Sequence, residues 1–246
     1  MMSLHDTITR ILRSILSCCF TLLLTLLMSV SCAKEELDIT PTTPQATGTF
    51  TDVRDGAVYH YVSYAGLDWM AENMRYQIAD PVLCSVYQDA DTFYDATNGN
   101  PSMRNLQKYG CLYSLEGARQ AAPAGWRLPT DADWQRLEVA SGMSEDEATS
   151  LEWRGNIARR LMAFNGQTTP MNILMGGYYT NHTIMGTSGW RFKGSQAFFW
   201  TDSKDTSKNG DYYFYRKFFY NNDAIYRQSM EPAANKLSVR YVRDAQ

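Results

Sequence analysis

The feature that most limits how this chain can fold is the stretch Gly125-Trp126-Arg127-Leu128-Pro129-Thr130-Asp131-Ala132-Asp133-Trp134-Gln135-Arg136-Leu137. Gly125 permits backbone conformations that other residues avoid. Pro129 fixes its own φ and drives Leu128 toward extended geometry. Thr130 is then placed to cap a helix, and Asp133, three residues on, to reach back and close a capping box. Trp134 and Leu137 share one face of that helix, which is expected to run to Ala140. Two indoles and a leucine around one cap point to a core nucleus. Aromatic residues make up 13% of the chain, which favours a packed, strand-rich body over disorder.

The N-terminus reads as a targeting segment. Arg10 and Arg13 precede an apolar run from Ile15 to Val30. That run is short for a membrane span of ~20 residues, so residues 1–31 are expected to be a cleaved leader rather than an uncleaved anchor. Ser29-Val30-Ser31-Cys32 resembles a bacterial lipobox, with Ser29 where a leucine is usual. The resemblance implies lipid on Cys32 and membrane attachment through that N-terminal anchor. Ala33-Lys34-Glu35-Glu36 resembles the surface-export signal of Bacteroidetes lipoproteins, which implies an outer-membrane protein exposed at the cell surface. The alternative is a solvated charge cluster. Residues 32–48 then read as a lipidated tether. Leu37 to Gly48 carries two prolines and four threonines and few large apolar side chains.

Lys plus Arg is 23 and Asp plus Glu is 26, a net charge of −3. No basic excess marks the chain for nucleic acid. Cys84 and Cys111 are the cysteines of the body at residues 49–246. In an oxidising compartment they are candidates for a disulfide; two buried free thiols are the alternative.

Within the body, Thr49–Val53 and Ala57–Val62 are strand-like around an Asp55-Gly56 turn signal. Leu67–Met74 begins as a third strand with Trp69 inward. Residues 76–108 look less regular, with a loop at Asn98–Pro101. Ser114–Ala121 reads as a short helix. Ser144 and Glu147 form a second capping box with three acids in the first turn. Asn156–Phe164 is expected to be helical, with Ile157, Leu161 and Phe164 on one face. Short aromatic strands follow at Gly176–Tyr179, Gly189–Phe192, Ala197–Thr201, Tyr212–Phe219 and Leu237–Val242. The expected class is α+β, with short helices first and many irregular strands after.

Several of these pieces occur in an order that resembles one family. They are Thr51–Gly56, Trp69–Met74, Tyr109-Gly110 with Tyr113, Pro123–Thr130 with Trp134, Phe198–Thr201, and Ser238–Asp244. Together they resemble the Fibrobacter succinogenes major paralogous domain over about residues 49–244. The resemblance implies a single domain with a fold related to C-type lectins and to the sulfatase-modifying, formylglycine-generating enzymes. It also implies a secreted or lipid-anchored protein, and it carries no general activity. Two family cysteines are replaced here by Ala122 and Tyr241.

No catalytic set stands out. Formylglycine-generating enzymes need a late cysteine pair, and no cysteine follows Cys111. His60 falls in a strand and His182 in an expected loop; neither has metal-type spacing. Trp200-Thr201-Asp202 and Glu231-Pro232-Ala233 reverse the order of a lectin calcium site and lack its amides. The reading is therefore not an enzyme, with no metal and no cofactor. Trp126, Trp134 and Trp200 are expected in the core. Tyr178, Tyr179 and Trp190 are the candidate ligand-binding residues, since exposed rings suit stacking on sugars or on a protein surface. The expected function is a lectin-like surface lipoprotein that binds glycan or protein without catalysis. An architectural or adhesin component of the envelope, or an enzyme of unrecognised type, are the alternatives.

Overall fold

The computed structural model describes residues 39–88, 101–184 and 187–246. The leader, Cys32 and the start of the tether lie outside the described residues. Three strands come first: β1 (Ala46–Thr51), β2 (Val58–Tyr64) and β3 (Leu67–Met70). β1 and β2 pair with Thr51 opposite Val58, so Asp52–Ala57 makes the connection and Gly56 takes a φ of +73°. β2 turns into β3 through Ala65 and Gly66, at φ of +50° and +80°. Two left-handed residues between paired strands match the right-handed strand twist. β1 starts at Ala46, inside the stretch expected to be tether. Gln45 N–H also donates to the Ser63 carbonyl at 2.9 Å, and the Tyr64 hydroxyl to the Thr42 carbonyl at 2.7 Å.

Asn98–Asn100 of the expected loop lie outside the described residues. Residues 76–88 and 101–108 are more regular than their sequence suggests. They contain β4 (Cys84–Val86) and α1 (Pro101–Tyr109), with β5 (Cys111–Tyr113) following and pairing with β4. The short helix expected over Ser114–Ala121 forms as α2 (Leu115–Gln120), with Ser114 as its N-cap. α3 (Asp131–Ala140) has the full capping box: Thr130 Oγ1 accepts from Asp133 N–H at 3.1 Å, and Asp133 Oδ2 from Thr130 N–H at 2.8 Å. α4 (Glu145–Thr149) has the second box, on Ser144 and Glu147. β6 (Glu152–Arg154) follows. The helix expected over Asn156–Phe164 shrinks to one turn, α5 (Ala158–Leu161). Ile157 supplies no side-chain cap and Met162 is already extended, so the apolar spacing buries side chains without extending a helix.

The remaining strands are β7 (Tyr178–Ile184), β8 (Thr187–Arg191), β9 (Gln196–Lys204), β10 (Tyr213–Phe219), β11 (Ile225–Met230), β12 (Asn235–Lys236) and β13 (Val242–Asp244). His182 therefore lies in a strand, not a loop. Leu237–Val242, expected as one strand, is held mostly by single bridges, Leu237 to Tyr113 and Ser238 to Phe199. The described strands form sheets ordered β1-β2-β3-β13, β6-β11-β10-β9, β12-β7-β8 and β4-β5. The class is mixed, with few short helices and many strands.

β9 is buried on both faces, and adjacent residues serve different cores because strand side chains alternate. Phe199 joins Trp69, Trp134, Leu137 and Phe218 in one cluster. Phe198 and Trp200 join Trp126, Tyr113 and Tyr241 in the other. The ring of Trp134 meets that of Trp69 edge-on at 5.0 Å. Trp126, Trp134 and Trp200 are all buried, as expected.

One face of the β9–β10–β11 sheet is joined to α3 by buried charge. Glu138 accepts from Arg216 Nε and from Arg154 Nη2, each at 2.7 Å. Asp131 accepts from Arg216 Nη1 and Arg227 Nη2, each at 2.7 Å. Arg240 is also fully buried, and it donates to neutral acceptors: Asn73 Oδ1 at 2.9 Å, the Ala71 and Asn172 carbonyls at 2.8 Å, and the Met171 carbonyl. It ties the segment after β3 to the segment before β7.

Candidate functional site

Tyr178 and Tyr179 are neighbours on β7, so their rings leave on opposite faces. Each lines a different depression, and the two depressions share Glu231 and Asn235.

The Tyr179 side opens into a cleft of about 750 Å³. One wall is the approach to β4, Pro81–Leu83, together with the first turn of α2. The opposite wall is β7 and the β11–β12 connection, and β10 contributes Tyr213 and its neighbour Asp211. The two parts of the first wall fit closely because Gly117 has no side chain: a Cβ there would stand 2.2 Å from the Leu83 carbonyl oxygen. Ser114 N–H donates to that same carbonyl at 3.0 Å.

The cleft combines ring faces with charge of both signs. The Tyr179 hydroxyl donates to Asn181 Oδ1 at 2.7 Å. The Lys236 ammonium lies 4.9 Å from the Tyr179 ring centroid and donates to the Pro81 carbonyl. Burial holds that ammonium below its ordinary pKa. Arg119 lies over Tyr213 at 5.2 Å and is held there by Asp202 at 2.6 Å. Glu116, Asp211 and Glu231 bring three carboxylates to the same space. Glu231 accepts from the Tyr212 hydroxyl at 2.9 Å, and its carbonyl from Asn235 Nδ2 at 2.8 Å.

The Tyr178 side opens into a depression of about 660 Å³. Tyr178 itself is 8% exposed. Its ring stacks between Phe198 at 4.6 Å and Phe192 at 6.0 Å, and the row continues through Tyr215 and Tyr226 to Trp153. Phe192 adopts a φ of +62°, which is strained for an aromatic residue, and its ring is exposed at the rim. Trp190 meets Tyr179 edge-on at 5.1 Å. It is half-buried and braces the cleft tyrosine, so of the expected trio only Tyr179 lines the charged cleft.

The two histidines are placed apart. His182 lines the Tyr178 depression. His60 stands on a third depression of about 510 Å³, where its Nδ1 is 2.6 Å from Glu72 Oε1. Glu72 Oε2 accepts from the His60 backbone N–H at 2.9 Å. The imidazole is oriented, and largely exposed. Among the described residues, no group of three or more His, Cys, Asp or Glu is placed to hold a metal ion, and no helix is long and apolar enough to cross a membrane.

Sequence reasoning missed Arg119, Glu116, Asp211 and Lys236. They come from separate segments whose meeting depends on sheet order. The available signal was the tyrosine run at 212–215, whose alternation requires some rings to face outward.

These features define a mixed α/β body that presents a tyrosine-lined, charged surface cleft. The profile of the Fibrobacter succinogenes major domain matches residues 62–243, and the chain belongs to that family. No curated protein and no solved structure was found to match it.

Proposed function

We propose that the body is a non-catalytic binding module with a C-type-lectin-like fold, displayed at the cell surface by lipid on Cys32 in the outer membrane. Its ligand is a glycan, held in the cleft between α2 and β7–β12. The observation that carries this reading is the joint presence of Tyr179 and Tyr213 with Glu116, Asp211, Glu231 and Arg119 around one space of about 750 Å³. Sugars offer an apolar ring face and a rim of hydroxyls. Aromatic rings beside hydrogen-bonding side chains fit both. The cleft also has the size of a small-ligand site.

Binding to an array of bacterial and host glycans tests the reading. Hits on the parent protein that are lost in Tyr179→Ala and in Tyr213→Ala, with melting temperature nearly unchanged, support it. Hits that survive both substitutions place the site elsewhere. Silence on the array with binding to a protein partner would replace glycan by protein.

A second reading, an enzyme, has one observation in its favour: the His60–Glu72 pair beside a cleft. It requires His60→Ala to abolish a turnover that the parent shows against a panel of hydrolase substrates.

A further inference from the structure

Cys84 and Cys111 lie on paired strands, with Cys84 opposite Tyr113 and Val86 opposite Cys111. Both are unbonded and buried, at 5% and 0% exposure. They sit diagonally across this ladder on the same face and pack in the same buried cluster, where the Cys111 thiol donates to the Arg75 carbonyl at 3.7 Å. The pair lies directly behind the cleft: Leu83 precedes Cys84 and lines it, and Ser114 follows Tyr113 and lines it too. We infer that Cys84 and Cys111 form a covalent modification site, converting from thiol pair to disulfide, and that the bond braces the β4–α2 wall of the cleft.

The two thiols are not equivalent. The neighbouring Cys111 lowers the Cys84 thiol from its ordinary value despite burial, with Lys236 on the cleft assisting. The influence of Cys84, together with burial, pushes Cys111 up. Thiolates are the attacking species in thiol–disulfide exchange. Cys84 therefore attacks one sulfur of a low-molecular-weight disulfide and expels one thiolate. Cys111 gives its proton to that thiolate and attacks the Cys84 sulfur, expelling the second thiol. Two protein thiols are oxidised and one external disulfide is reduced to two thiols.

The bracing role rests on the cleft reading above; the bond itself does not. The full-length protein is incubated with oxidised glutathione, digested under acid, and mapped by mass spectrometry. The expected product is a cross-linked peptide pair containing Cys84 and Cys111, lighter by two hydrogens than the separate peptides. Melting temperature should rise by roughly 5–10 °C, as expected for closing a loop of this length in a body of this size. Dithiothreitol should reverse the rise, and Cys84→Ser should abolish it. Amide hydrogen exchange in residues 81–86 and 114–119 should slow only in the oxidised parent. Single glutathione adducts on either cysteine, or no reaction after prolonged incubation, would overturn the site. A bond that forms without slowing exchange in those segments would overturn the bracing. If the bond forms and slows exchange while no glycan binds, the cleft reading fails alone.

Discussion

The sharpest test of how this fold is held together is Glu138. It is fully buried at the end of α3, and each carboxylate oxygen holds a different guanidinium, Arg216 on β10 and Arg154 on β6. Consider Glu138→Gln. The amide has nearly the same volume, so no cavity opens. One oxygen becomes an N–H donor aimed at a guanidinium, and the negative charge disappears. Arg216 keeps Asp131, but Arg154 is left with the Ala148 and Ile225 carbonyls. Burial already pulls Arg154 down to about 10, against the opposing pull of Glu138. Removing one member of a buried pair typically costs about 3–5 kcal/mol, because the partner stays buried and uncompensated. At about 2–4 °C per kcal/mol for a body of this size, melting temperature should fall by roughly 6–20 °C. Urea denaturation followed by tryptophan fluorescence measures the loss directly. The double variant Glu138→Leu with Arg154→Met removes the orphan cation and should recover part of it, since apolar replacement of a whole buried pair is often neutral. A Glu138→Gln protein whose urea midpoint matches the parent would refute the assignment of this carboxylate as a structural hub.

Three further outcomes follow from the geometry. Burial raises the Asp133 carboxyl, but bonds from Arg127, Thr130 and Arg136 outweigh it and hold it near 2. A depressed carboxylate contributes stability above its unfolded value and loses it as pH falls through the folded one. About 2 kcal/mol should therefore disappear between roughly pH 4 and pH 2, and Asp133→Asn should flatten that limb of a stability-versus-pH curve. Gly177 has a φ of +69°, and a Cβ there would stand 2.2 Å from the Arg191 carbonyl oxygen; Gly177→Ala should cost ~3 kcal/mol in urea and alter the near-ultraviolet circular dichroism of the Tyr178 row. Arg240→Lys keeps the charge but cannot span acceptors in two segments with one ammonium, so a loss of about 2–4 kcal/mol is expected by thermal denaturation.

Local chemistry was readable from the chain, and long-range pairing was not. The capping boxes at Thr130 and Ser144 depend on contacts within three residues, and both form. Buried Trp69, Trp126, Trp134 and Trp200 follow from side chains too large and apolar to leave in water. β4 and β11 were missed because each owes its strand state to a distant partner, β5 for one and β6 and β10 for the other. Ile225–Met230 in isolation is a polar, unremarkable segment, and it becomes strand because Arg227 and Ser229 find Asp131 and Asp205 beneath the sheet. α5 erred the other way: apolar spacing marked which side chains turn inward, without a cap to hold more than one turn.

The same division governs the site. Tyr178, Tyr179 and Trp190 were legible as ring-bearing residues, but their neighbourhood in sequence made them look like one patch. Strand alternation separates the first two: Tyr178 is locked into an aromatic row, while Tyr179 faces a charged cleft with Trp190 braced against its edge. Substitutions one residue apart on β7 should therefore produce different defects. Tyr178→Ala removes a nearly buried ring and should lower the melting temperature, whereas Tyr179→Ala removes part of a cleft wall and should leave it nearly unchanged while weakening the proposed glycan binding. What converts a run of aromatics into a site is the arrival of Arg119 from α2, Asp211 beside β10 and Glu231 and Lys236 around β12. Each is an ordinary surface residue until the sheets place it.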